Sequence, residues 1–206
     1  KTQSLIRVIE LCHVKPLVRV GVNDSTLIKR VMDAGAHGVI VPMVNTRQDA
    51  ERAVWAVKYP PNGSRGVGLA RAQKYGFGFE EYKEWNEKNS LVIVQVEHIQ
   101  AVDNLEYILN VEGVDGFIVG PYDLSASLGL PGQFDQPAVM EAQQRIHQLS
   151  QKYNVLRGFH VVPPDRELFK QKINEGYNFL AYSLDSVIIG SSCRTMVKNA
   201  KDSINE

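Results

Sequence analysis

Two acids in this sequence stand where they can act together. Glu97 closes the apolar run Leu91-Val92-Ile93-Val94-Gln95-Val96, and Asp123 follows the run Gly116-Phe117-Ile118-Val119-Gly120-Pro121-Tyr122. Both runs are short, rich in β-branched residues and almost without polar alternation, which predicts fully buried parallel strands. A helical stretch at 104–110 lies between them, so the pair reads as one βαβ unit. The two strands of such a unit end on the same side of the sheet. Carboxylates at those ends can meet around one cation. Oxygen ligands of this kind suit a hard divalent ion, Mg²⁺ or Mn²⁺, with Co²⁺ also admissible.

Placing such a pair takes a repeated strand–helix frame, and the chain supplies one. Strands are predicted at 16–20, 38–44, 91–97, 116–121, 156–162 and 179–184, each followed by a helical stretch. Cap chemistry frames the helices. Asn23-Asp24-Ser25 offers N-caps for 26–33, and Gly35 sits at its stop. Asn45-Thr46 caps 48–58, which Tyr59-Pro60-Pro61 terminates, and Asp165 caps 166–175, which Gly176 ends. Unbroken alternation of strand and helix predicts a parallel α/β fold. The longest irregular stretch, 62–79, is rich in Gly and Arg, and loops of that length are usually functional or disordered.

A doubly wound sheet and a (β/α)₈ TIM barrel both fit the alternation. No Gly-rich dinucleotide fingerprint follows any strand, and polar candidates gather at the C-terminal strand ends, where barrel enzymes keep their active sites. The barrel is therefore expected, as one domain over 1–206. Six strands rather than eight place its first two strands upstream of Lys1. The biological protein is expected to be about 45–60 residues longer, from a typical barrel of about 250 residues.

Bulk properties narrow the function. The 23 basic and 23 acidic residues balance, which argues against a nucleic-acid partner. No apolar run approaches the roughly 18 residues of a membrane span. No signal peptide is expected from the first residues. Cys12 and Cys193 are too few and too far apart for a disulfide framework, so a cytoplasmic, reducing setting is expected.

At this point the residues meet a known family. The stretches are Pro-Leu-Val-Arg-Val at 16–20 with Asn23-Asp24, and Asp-Ala-Gly-Ala-His-Gly-Val-Ile-Val-Pro-Met-Val-Asn at 33–45. Further ones are Tyr-Pro-Pro-Asn-Gly-Ser-Arg-Gly-Val-Gly at 59–68, Ala-Arg-Ala at 70–72, Val-Gln-Val-Glu at 94–97, Val-Glu-Gly-Val-Asp-Gly at 111–116, and Gly-Pro-Tyr-Asp-Leu-Ser-Ala-Ser-Leu-Gly at 120–129. The sequence resembles the HpcH/HpaI aldolases, metal-dependent (class II) pyruvate aldolases that include 2-dehydro-3-deoxyglucarate aldolase.

The resemblance implies a (β/α)₈ barrel with Glu97 and Asp123 as the two protein ligands of the metal. A 2-oxo acid then completes the shell, and the ion stabilises the enolate left when a C–C bond breaks. Arg19 is implied to bind the oxo acid and offset enolate charge. Gln95 shares the face of Glu97 by strand alternation and is implied to hydrogen-bond substrate or water. The N–H groups of Tyr122 and Asp123 are implied to hold the pyruvate carboxylate. Tyr122 departs from the family's frequent Ala, and His98 from its Thr or Ser.

Arg65 and Arg71, in the glycine loop, are read either as a lid or subunit contact or as a solvated basic loop. His160 reads as a core or rim histidine, and Asp185 as a helix cap. The resemblance also implies an acid/base histidine at the second barrel strand, upstream of Lys1. It implies a homo-oligomer, commonly a hexamer, with 187–204 as a packing helix. The expected reaction cleaves a 4-hydroxy-2-oxo acid, or a 2-keto-3-deoxy sugar acid, to pyruvate and an aldehyde. Alternatives are an oxaloacetate decarboxylase or enolate-trapping synthase on the same site, and a non-catalytic oligomeric scaffold.

Overall fold

The computed structural model describes residues 1–204. The chain divides into two compact units, Lys1–Leu156 and Arg157–Glu206. It is an α/β protein in which every observed strand pairing is parallel.

In the first unit, β1 (Leu17–Arg19), β2 (Gly38–Val41), β3 (Leu91–Val96) and β4 (Gly116–Val119) lie side by side in chain order. The register sets Arg19 beside Ile40, Ile40 beside Ile93, and Gln95 beside Ile118. Helices α1 (Thr2–Leu11), α2 (Ser25–Asp33), α3 (Arg47–Val57) and α4 (Phe79–Asn89) precede β3. Helices α5 (Ile99–Asp103), α6 (Leu105–Leu109), α7 (Pro121–Ser127) and α8 (Pro137–Ser150) follow it. The strand side chains fill the core from both faces. Val39, Val41, Val92, Val94, Val96, Phe117 and Val119 are fully buried, as are Ile28 and Met32 of α2 and Ile108 of α6. Apolar burial of this extent is the main favourable term in folding.

The expected caps form. Asp24 accepts the Leu27 N–H at 2.9 Å, and Thr46 and Asp49 make a reciprocal capping box on α3. One expected strand is shorter. The strand expected at 38–44 stops at Val41, because Pro42 has no N–H for the ladder and Met43 turns left-handed, at φ +52°. The helix expected at 104–110 forms as α6, and a further short helix, α5, precedes it and meets it at Asn104, whose side-chain amide donates to the Asn45 carbonyl at 2.8 Å.

The loop expected at 62–79 carries a short 3₁₀ segment, Arg71–Gly76. It is pinned by two buried side chains. Arg65 pairs with Asp33, and Gln73 donates to Tyr59 Oη at 2.8 Å.

In the second unit, β5 (Leu156–Val161) pairs in parallel with β6 (Phe179–Tyr182), accompanied by α9 (Arg166–Asn174) and α10 (Asp185–Asp202). Asp165 caps α9 by accepting the Glu167 and Leu168 N–H groups. Lys172 Nζ lies 4.5 Å above the Phe159 ring and pairs with Glu175 at 2.8 Å. The segment expected at 187–204 is helical over Asp185–Asp202, as α10, and none of its residues is buried. Both cysteines are exposed free thiols. Among the described residues, no helix is long and apolar enough to cross a membrane.

Candidate active site

Alternation along β3 turns Gln95 and Glu97 to one face, while Val92, Val94 and Val96 pack into the other. Glu97, one residue past the strand, is only 2% exposed. Its Oε1 accepts the backbone N–H of Met43 at 2.8 Å. Its Oε2 is buried and meets no hydrogen-bond partner among the described residues. Asp123 stands in the first turn of α7, directly after β4, and its carboxylate faces Glu97. Burial pushes the Glu97 carboxyl above its ordinary range. The Met43 N–H and Arg19 oppose that rise, and the Asp123 charge adds to it.

The backbone between the two acids is narrow. A Cβ on Gly120 would sit 2.8 Å from Gln95 Nε2 and 3.1 Å from Glu97 Oε2. A side chain at this position would make the Gln95 amide or the Glu97 carboxylate shift. Arg19, at the end of β1, donates from Nε to Gln95 Oε1 at 3.3 Å. That bond turns the Gln95 amide nitrogen towards Gly120. The N–H groups of Tyr122 and Asp123 lie in the first turn of α7, where no intrahelical carbonyl reaches them.

This arrangement fits a divalent cation. A buried carboxylate oxygen without a donor, facing a second carboxylate, is costly as it stands. A hard ion between the two satisfies both. Among the described residues, no group of three or more His, Cys, Asp and Glu gathers around a common point. Glu97 and Asp123 would thus leave the remaining coordination positions to water and substrate oxygens.

The structure therefore brings together Arg19, Gln95, Glu97 and Asp123. It does not bring every candidate there. The Tyr122 ring is 47% exposed and packs edge-to-face on Phe134, with centroids 4.9 Å apart. Arg71 is held by Glu10 and donates to the Ala34 carbonyl at 3.0 Å. It shares with Arg19 a cleft of about 710 Å³, but its charge is already paired. Arg65 corrects the reading of a solvated basic loop, since its side chain is wholly buried against Asp33.

His98 caps α5, its Nδ1 accepting the Gln100 N–H at 3.1 Å. His160 lies on β5, with Nε2 buried and no hydrogen-bond partner among the described residues. Asp185 opens α10 and accepts the Ser186 N–H at 2.7 Å. Sequence reasoning missed Met43 and Asn104. Gly120 was visible in its motif, but the close approach that demands it was not.

Residues 2–190 match the HpcH/HpaI aldolase/citrate lyase family. The chain belongs to that family. Among curated family relatives, the 2-keto-3-deoxy-L-rhamnonate aldolase of Escherichia coli (strain K12) is 39% identical over 176 residues. That match covers 84% of this chain and 65% of the relative, so the chain spans slightly less than two thirds of its length. Among solved structures, an HpcH/HpaI aldolase/citrate lyase family protein from Burkholderia cenocepacia J2315 superposes with a TM-score of 0.89 at 33% identity. The superposition covers 97% of this chain and 79% of that one. The citrate synthase SbnG superposes with a TM-score of 0.86 at 27% identity, covering 100% of this chain and 79% of that one.

Proposed function

We propose that this chain is the larger part of a metal-dependent aldolase. It would cleave a 4-hydroxy-2-oxo acid, or a 2-keto-3-deoxy sugar acid, to pyruvate and an aldehyde. Its strands would be six of the eight in a single (β/α)₈ barrel domain, and the protein would work as a homo-oligomer. The observation that carries this reading is the unpartnered Glu97 Oε2 facing Asp123, next to the Arg19–Gln95 pair. Family membership and the aldolase named among the relatives support it.

Glu97 and Asp123 would hold Mg²⁺ or Mn²⁺. Bound there, the ion supplies a Lewis acid for the oxygens of the 2-oxo acid. The N–H groups of Tyr122 and Asp123 receive the substrate carboxylate, as first-turn donors do. Gln95 Nε2 offers one further donor, and its orientation is set by Arg19. A general base takes the proton of the C4 hydroxyl, whose oxygen pair forms the aldehyde carbonyl as the C3–C4 bond breaks. The C3–C4 pair becomes the C2–C3 double bond, and the C2 carbonyl π pair moves onto the C2 oxygen. The Arg19 guanidinium offsets the charge that builds there. A proton returned to C3 completes pyruvate.

The likeness to a citrate synthase favours a second reading, in which the same enolate is trapped by another electrophile. Product analysis with oxaloacetate separates the two.

The test follows exchange of pyruvate methyl protons into D₂O by NMR, on the full-length protein stripped with EDTA. Exchange restored by Mg²⁺ or Mn²⁺ supports the reading, and an aldehyde screen follows. Exchange that proceeds unchanged without metal sinks it.

A further inference from the structure

We propose that the left-handed backbone at Met43 is a positioning device for Glu97, presenting one N–H to Oε1 so that Oε2 stays free for a ligand. The functional side of this inference rests on the metal-site reading above. A left-handed conformation is unfavourable for any residue with a Cβ and persists where surrounding bonds overdetermine it. At Met43, with φ +52°, those bonds are on view. Asn104 Nδ2 donates to the Asn45 carbonyl at 2.8 Å. Asp49 Oδ2 accepts the N–H groups of Asn45 and Thr46, at 3.2 and 3.0 Å, and the Thr46 hydroxyl at 2.7 Å. Asn23 Nδ2 donates to the Asp49 carbonyl at 2.8 Å.

Three separate elements thus hold the segment after Met43: the loop following β1, the start of α3, and the joint between α5 and α6. The Met43 side chain is not the anchor, because it is 49% exposed. What remains is the backbone, and its single N–H points at Glu97.

The intact protein is tested with two readouts. Mn²⁺ binding is followed by EPR of the free ion, and exchange of the Met43 amide by ¹⁵N NMR without metal. The variants are Met43→Gly, which accepts a positive φ, Met43→Val, whose β-branched side chain resists it, Asn104→Ala and Glu97→Ala. Loss of groups that orient a metal ligand typically weakens binding about 10- to 100-fold, so Met43→Val and Asn104→Ala should fall in that range and Met43→Gly within about threefold of wild type. The Met43 amide should be protected in the wild type and lose protection in Glu97→Ala.

Wild-type affinity in Met43→Val, or an equal loss in Met43→Gly, overturns the proposal. So does an unprotected Met43 amide in the wild type. If Met43→Val does not fold, Asn104→Ala and the amide exchange decide. A wild type that binds no Mn²⁺ while its Met43 amide stays protected through Glu97 removes the metal reading and leaves the clamp standing.

Discussion

Arg65 and Asp33 form a 2.6 Å ion pair whose guanidinium is wholly buried. The same guanidinium donates to Tyr82 Oη at 3.1 Å and stacks over the Tyr59 ring at 4.7 Å. Asp33 also receives Lys29 and, at 3.4 Å, Gln73. This pair fastens the glycine loop to the end of α2. Removing one partner of a buried pair strands the other, which costs about 3–5 kcal/mol. Arg65→Met should therefore lower the unfolding free energy, measured by urea titration, by that amount. A shift below about 1 kcal/mol, the scale of an exposed pair, would contradict the role assigned to it.

The same pair carries a pH dependence. Burial pushes the Asp33 carboxyl up, but Arg65 and Lys29 together hold it below its ordinary range. A carboxyl with a lower pKa folded than unfolded stabilises the protein above its unfolded value, about 3.9. That stabilisation is lost as pH falls through the folded value. The stability gap between wild type and Asp33→Asn should stay constant above about pH 5 and close in acid below about pH 4. Denaturant titrations across that range test it, and a gap that widens in acid would reverse the sign.

Glu97→Gln and Asp123→Asn should each reduce pyruvate proton exchange by at least about 100-fold, the scale of losing a group that stabilises developing charge. Folding should survive. Glu97→Gln removes a buried charge that faces a like charge, so the metal-free variant should melt no lower than wild type. Full exchange activity in both variants would refute the site.

Gly120→Ala tests the narrow backbone between the acids. Its Cβ would press on Gln95 Nε2 and Glu97 Oε2. Overpacking of this kind costs about 1–3 kcal/mol. The variant should unfold earlier and require more pyruvate for half-maximal exchange. Wild-type behaviour in both respects would mean that the strand end can move aside.

Much of this was legible in the residues. The runs that became β3 and β4 are apolar on both faces, and only buried parallel strands ask for that. That Gln95 and Glu97 share a face followed from alternation, while their roles came from the family resemblance. Asp24, Thr46 and Asp165 were readable as caps because their side chains act within three residues of themselves. Met43 was not readable, since a left-handed methionine has no local signal, and the Asn104 bond to the segment after it comes from 59 residues beyond Asn45. Arg65 likewise looked like loop charge. Its burial depends on Asp33, 32 residues away, and on Tyr82 beyond the loop. Tyr122 could be seen as a departure, but the direction of its ring depends on Phe134.

The chain order of β1 to β4 has a consequence for synthesis. From β2 to β4, each strand joins beside the one that precedes it in the chain. The bond between Met43 and Glu97 needs nothing beyond residue 104, where Asn104 completes its support. Asp123 arrives afterwards, on a helix that starts from the next strand. The residues that fix the Glu97 carboxylate thus all precede Asp123 in the chain.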